Sequence, residues 1–225
     1  MQEFLLNFAV VPVFITAVIG VVRFRQFNRV QRYLVGLTLC ALLMEVCGHI
    51  LAHYKRPNLF LAPIDTTLEF GFLALIYQRV LRPGVASRFI PVVALAFVLG
   101  SALTFSPRLD TVQFSPVQHF LESVLVLGFV LLFFYREINR KVIAVRLERE
   151  PMFWISTGLL LYFSGNALIF LSSNYVLNHS RATSMSVWAI HAVLYMLLNV
   201  FYALALCLRP PRPETALPAS GITQT

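Results

Sequence analysis

Tyr33–His53 reads YLVGLTLCALLMEVCGHILAH, a run of 21 residues without a lysine or arginine. As helix, at 1.5 Å per residue, such a run covers about 30 Å, the thickness of a bilayer's hydrocarbon core. Runs of similar character recur on both sides of it. The spans read as Phe4–Val22, Tyr33–His53, Leu59–Tyr77, Phe89–Phe105, Pro116–Tyr135, Phe153–Leu171 and Val187–Leu208, seven in all. The composition agrees: 58% of the 225 residues are hydrophobic, 12% are charged, and mean hydropathy is +0.76. A soluble domain of this size needs a charged surface that this chain lacks. The expected fold is an all-α seven-transmembrane helix bundle over residues 1–208. The tail, 209–225, has four prolines and small polar residues and reads as disordered.

Positive charge sets the expected topology. Arg23, Arg25, Arg29, Arg32, Arg79, Arg82, Arg88, Arg136, Arg140, Lys141, Arg146, Arg149, Arg209 and Arg212 fall in the odd-numbered loops and the tail, fourteen residues. The even-numbered loops hold four: Lys55, Arg56, Arg108 and Arg181. The positive-inside rule then puts the amino terminus outside and the carboxyl terminus in the cytoplasm of a plasma membrane, a bacterial inner membrane. The net charge of +8 reads as topology and as attraction to anionic headgroups of the lipid bilayer, not as nucleic-acid binding. The first apolar run is read as a span. Its charges follow it, and no small-x-small cleavage site ends it. Cys40, Cys47 and Cys207 all fall within spans, which argues against a disulfide framework or a thiolate metal site. No internal repeat is visible.

Helix starts are legible at Ser115-Pro116, an N-cap followed by proline, and at Ala62-Pro63. The longest external loop runs from Ser172 to Ser186. The segment Arg136–Pro151 is basic, with Ile138, Val142 and Val145 on one face, and reads as a helix at the headgroups or a docking surface for a partner.

Ionisable residues inside spans are the informative exceptions, since burying one charge in hydrocarbon costs on the order of 3 kcal/mol or more. Glu45 and His49 lie in the second span, Glu69 in the third, His119 and Glu122 in the fifth and His191 in the seventh, with Asn166 in the sixth. Glu45 and His49 share one helix face, as do His119 and Glu122. His191, Tyr195 and Asn199 form a polar stripe. Glu69 and Glu122 each fall about 9 Å below their helix starts, with His49 and His191 about 7 Å and Glu45 about 12 Å deep. Five helices thus bring polar groups to one level of the outer leaflet, which predicts one outward-opening site.

Three carboxylates with no basic partner cannot all be ionised in a dry bundle. They must be protonated, hydrated, or neutralised by an arriving cation. With three imidazoles beside them, a divalent metal, Zn²⁺ or Fe²⁺, is the simplest neutraliser, held by Glu45, His49, Glu69, His119, Glu122 and His191. A cationic organic ligand, a proton relay and a structural hydrogen-bond network are the alternatives. Asp65, Asn166, Tyr195 and Asn199 are further candidate ligand contacts. Asp65 reads equally as a carboxylate offsetting a helix dipole, and Asn166 and Asn199 as bridges between helices. His53 reads as interfacial, His179 as solvated in a loop, and Trp154 and Trp188 as interfacial anchors.

Several seven-helix families fail on particular residues. Lys55 and Lys141 are both in loops, so no span offers the amine that retinal needs. A rhomboid protease needs Gly-x-Ser-Gly, where this chain has Tyr162-Phe163-Ser164-Gly165. The alkaline-ceramidase and adiponectin-receptor hydrolases carry His-x-x-x-His where this chain has His191 and Tyr195. Desaturase-type di-iron enzymes use more histidines, on the cytoplasmic side. Tyr162-Phe163-Ser164-Gly165-Asn166, followed by Trp188, His191, Asn199 and Tyr202, resembles small uncharacterised seven-span bacterial proteins, some associated with histidine-kinase signalling. That resemblance covers mainly the last two spans.

Two functions follow as expectations. In the first, a sensor or receptor-like subunit binds a cation and passes its occupancy to a cytoplasmic or membrane signalling partner. In the second, a metal-dependent intramembrane hydrolase acts on lipids, with Glu45 or Glu122 as general base. A cation or proton transporter ranks third, because only Asn199 continues a polar path inward.

Overall fold

A chain that leaves water must satisfy its backbone N–H and C=O groups internally, and a helix does so within each segment. The computed structural model describes residues 8–106, 116–139, 147–179 and 181–208, excepting the side chains of 168 and 170–184. Among the described residues there are seven α-helices and no strand: α1 (Val10–Val22), α2 (Arg29–His53), α3 (Leu61–Val80), α4 (Ala86–Thr104), α5 (Pro116–Ile138), α6 (Pro151–His179) and α7 (Arg181–Cys207). Among the described residues, four stretches are long and apolar enough to cross a membrane: Arg29–His53, Ala86–Thr104, Pro116–Ile138 and Met185–Cys207. The protein is an all-α membrane protein.

Helix limits differ from the apolar runs for local reasons. α2 starts four residues before Tyr33 because Asn28 and Gln31 form a capping box. The Gln31 N–H donates to Asn28 Oδ1 at 2.9 Å, and the Asn28 N–H to Gln31 Oε1 at 3.4 Å. α2 ends where Lys55 turns left-handed, at φ 53°, which lets the Arg56 N–H reach back to Leu51 O at 2.8 Å. Most of the expected external loop Ser172–Ser186 is instead helix, with α6 reaching His179 and α7 starting at Arg181. That stretch has no glycine or proline to stop a helix, so the backbone continues past the apolar run. His179 therefore ends a helix and does not sit in a loop. The described part of α5 starts at Pro116, whereas α3 starts at Leu61, just ahead of Pro63. Ser115, Val142, Val145 and the tail from Arg209 lie outside the described residues.

Close approaches between helix backbones show the order of packing. α1 packs on α2, α2 on α3, α3 on α5, α5 on α6, α6 on α7 and α7 on α1, which closes a ring of six helices. α4 stands outside the ring against α3. Phe70 of α3 links these elements, with its ring 4.3 Å from Phe97 of α4 and 5.9 Å from Phe129 of α5.

One end of the ring is tied by polar side chains to helix C-terminal carbonyls, which have no partners within their own helices. Arg23 Nη1 donates to Leu206 O and Cys207 O at 3.0 and 2.9 Å, and Gln31 Nε2 to Ala205 O and Leu208 O at 3.1 and 3.0 Å. Arg136 Nη1 donates to Val80 O at 3.0 Å. Arginines that carry the charge asymmetry of the sequence thus also cap α7 and α3.

α6 and α7 approach closely at Gly158, where an added Cβ would stand 2.8 Å from Phe201 Cβ. At Gly100 of α4 nothing lies within 4 Å of such an atom. Gly158→Ala is expected to lower the thermal unfolding midpoint of detergent-solubilised protein, since overpacking costs about 1–3 kcal/mol. Gly100→Ala is expected to leave it unchanged or raise it, because alanine is the better helix former.

Candidate functional site

The site begins with a register between two parallel helices. Thr66 of α3 gives its hydroxyl proton to Ala62 O at 2.8 Å, so His119 of α5 is the donor in its 3.0 Å contact from Nδ1 to Thr66 Oγ1. Gln118 Nε2 reinforces this alignment with its two N–H groups, which face Pro63 O at 3.1 Å, Thr67 Oγ1 at 3.2 Å and Ser101 Oγ at 3.0 Å. Three residues further along each helix come Glu69 and Glu122. The same step from a shared level brings both carboxylates to one height.

Both border a cavity of about 260 Å³ enclosed by the ring. α2 contributes Thr38, Cys40 and Glu45, and α3 contributes Asp65, Thr66 and Glu69. α5 adds His119 and Glu122, and α6 adds Tyr162 and Phe163. α7 presents Trp188, His191, Tyr195, Asn199 and Tyr202. Four carboxylates from three helices therefore share one space, and no lysine or arginine is among the residues lining it. Their wall faces an aromatic one.

Hydrogen bonds hold several of these groups from behind. His191 Nδ1 donates to Asn166 Oδ1 at 2.9 Å, and its ring lies parallel to Tyr195, 6.4 Å away at 5°. Asn199 is fixed by its backbone and side chain together. Its carbonyl accepts from Thr16 Oγ1 at 3.0 Å, and its Nδ2 donates to Tyr195 O at 3.0 Å. Glu122 Oε2 lies 4.0 Å from His119 Nδ1, too far for a hydrogen bond. Glu122 Oε1 and the Tyr202 hydroxyl have no hydrogen-bond partner among the described residues, although the residues are only 2% and 3% exposed. Leaving such groups unmet costs about 1–3 kcal/mol each, and more for a charged one.

Of the residues singled out in the sequence, Glu45, Asp65, Glu69, His119, Glu122, His191, Tyr195 and Asn199 all line the cavity. Asn166 sits behind His191 as a helix bridge. His49 is exposed and outside the lining, one turn beyond Glu45. Asp65 is not in a first helical turn, since α3 begins at Leu61, and it borders the cavity. Trp188 is a wall residue with its ring edge-on to His191 at 5.6 Å, whereas Trp154 donates to Glu148 O at 2.7 Å near the basic end. Among the described residues no three His, Cys, Asp or Glu side chains are gathered closely enough to hold a metal ion.

Thr66, Cys40, Tyr162 and Tyr202 escaped assignment to the site. One signal for Tyr202 and Trp188 was available. Trp188, His191, Tyr195, Asn199 and Tyr202 recur at steps of three and four, so all share a helix face.

No protein-family model matches this chain, and comparison with curated proteins and with solved structures finds no match.

Cys40 reports on the charge of the cavity. With Cys47 and Cys207 replaced by serine, a trimethylammonium methanethiosulfonate is expected to label Cys40 faster than the sulfonate analogue, as read by intact-mass spectrometry. Adding Glu45→Gln should narrow the difference. Equal rates for the two reagents would show that the carboxylates set no negative field there.

Proposed function

We propose that this chain is a receptor-like sensor subunit whose intramembrane cavity receives a cation from the outer side. The observation that carries this reading is the set of Glu45, Asp65, Glu69 and Glu122 around one cavity whose lining holds no lysine or arginine. Grouping unpaired carboxylates away from water is costly, and a visiting cation offsets that cost where a resident one does not. Binding would draw α2, α3 and α5 toward the aromatic wall of α6 and α7. A cytoplasmic or membrane signalling partner, such as a histidine kinase, would read the change at the basic end.

In this reading all seven helices cross a bacterial inner membrane, with the amino terminus outside and the carboxyl terminus in the cytoplasm. The arginine-capped end faces inward, in keeping with the excess of positive charge there. The end near Leu59 and Trp188 faces outward, so the cavity opens to the exterior.

A metal-dependent lipid hydrolase has less support, because the described residues offer no three-ligand cluster. In it Glu45 or Glu122 would act as general base on a metal-bound water. A transporter gains somewhat from Tyr202 and Thr38, which extend the polar lining below Asn199.

Two measurements test the reading. Thermal melts of purified protein in a panel of inorganic and organic cations should show a raised midpoint with at least one, and Glu122→Gln should reduce the rise. A flat response to the whole panel would remove the cation site. For orientation, a green fluorescent protein fused at Thr225 should be bright, and alkaline phosphatase inserted at Asn58 should be active. The opposite pattern would invert the topology.

A further inference from the structure

Resting on the cation-site reading above, we infer that the occupant is a linear aliphatic polyamine, a chain of methylenes with protonated amines at intervals. The carboxylates stand at different heights of the cavity. Gly36 of α2 packs on Phe72 of α3, and these helices run antiparallel, so Glu45, nine residues along α2, faces the level of Pro63. Glu69 lies six residues deeper, about 9 Å at the helical rise, with Glu122 beside it and Asp65 between the levels. A single compact cation reaches only one of these levels. A flexible chain with an amine at each end reaches both.

The remaining lining fits the rest of such a molecule. Tyr162, Trp188, Tyr195 and Tyr202 make a wall that packs against methylenes and offers ring faces to ammonium groups. Two of the three buried polar side-chain atoms without a partner among the described residues, Glu122 Oε1 and the Tyr202 hydroxyl, belong to residues that line the cavity, the third being Asn166 Nδ2. A primary ammonium carries three N–H donors and no acceptor, which suits a carboxylate and a phenol oxygen. Charge count points the same way, since a monocation leaves three of the four carboxylates without compensation. A bare divalent metal satisfies the charge better but finds no three ligands gathered for it among the described residues.

The test is calorimetric titration of the full chain in nanodiscs of zwitterionic lipid, with spermidine, putrescine, butylamine, tetramethylammonium and zinc chloride. Spermidine is expected to bind best, putrescine next and butylamine at least about tenfold weaker than putrescine. Glu69→Gln and Glu122→Gln should each weaken putrescine about tenfold, while Glu45→Gln should mainly abolish the advantage of spermidine. Butylamine or tetramethylammonium binding as tightly as putrescine would overturn the polyamine assignment and leave the cation site standing. Binding of zinc alone would do the same. Binding of none of the five would overturn both. If the glutamine variants do not fold, the ranking of amines on the unaltered protein decides.

Discussion

Unneutralised carboxylate is the constraint around which this molecule is arranged. Glu122 is held in an apolar bundle with one oxygen lacking a partner among the described residues, and Glu69 stands beside it on a parallel helix. Neither pairs with a lysine or arginine in the cavity lining. Such a pair persists only if the surrounding helices fix its geometry more firmly than its repulsion disturbs it. The contact of His119 with Thr66 and the Gln118 amide, whose two N–H groups face Pro63 O, Thr67 Oγ1 and Ser101 Oγ, supply that rigidity at the level just above. The aromatic contacts of Phe70 with Phe97 and Phe129 supply it below.

The two ends of the bundle do different work. At the basic end, Arg23, Gln31 and Arg136 meet helix carbonyls, and the Tyr77 hydroxyl shares a 2.9 Å bond with Ser156 Oγ. Polar groups there are matched to one another. In the cavity, polar groups are collected and left partly unmatched. Matched and unmatched polar groups are thereby separated along the helix axes.

Much of this was legible in the sequence because membrane burial makes ionisable residues rare enough to read singly. Eight of the residues flagged by their charge or polarity line the cavity, although helical rise put Glu45 and Glu69 at one level and the seating of Gly36 on Phe72 sets them about 9 Å apart. His49 misled because sharing a helix face with Glu45 fixes direction and not depth, and one turn further along α2 the side chain is exposed, outside the lining. Trp188 was read as an interfacial anchor because tryptophan near a helix start commonly is one; its place in the face shared with His191 and Tyr195 carried the better signal. Asp65 was ambiguous only through the uncertain start of α3. The external loop was drawn where hydropathy falls, yet hydropathy does not stop a helix, and with no glycine or proline in that stretch α6 runs on to His179 and α7 starts at Arg181. The outer placement of α4 had no signature in its own run of residues, since lipid and protein interior select the same apolar side chains.

The clamping of α7 has a mechanical corollary. Its last carbonyls are gripped by Arg23 of α1 and Gln31 of α2, while its opposite half supplies Trp188, His191 and Tyr195 to the chamber wall. A rod anchored at its foot and pushed near its head pivots and does not slide. The close seat of Gly158 against Phe201, near the foot, provides the fulcrum. Motion would then be largest at the chamber and smallest at the arginines, and α1 and α2 would take up the torque.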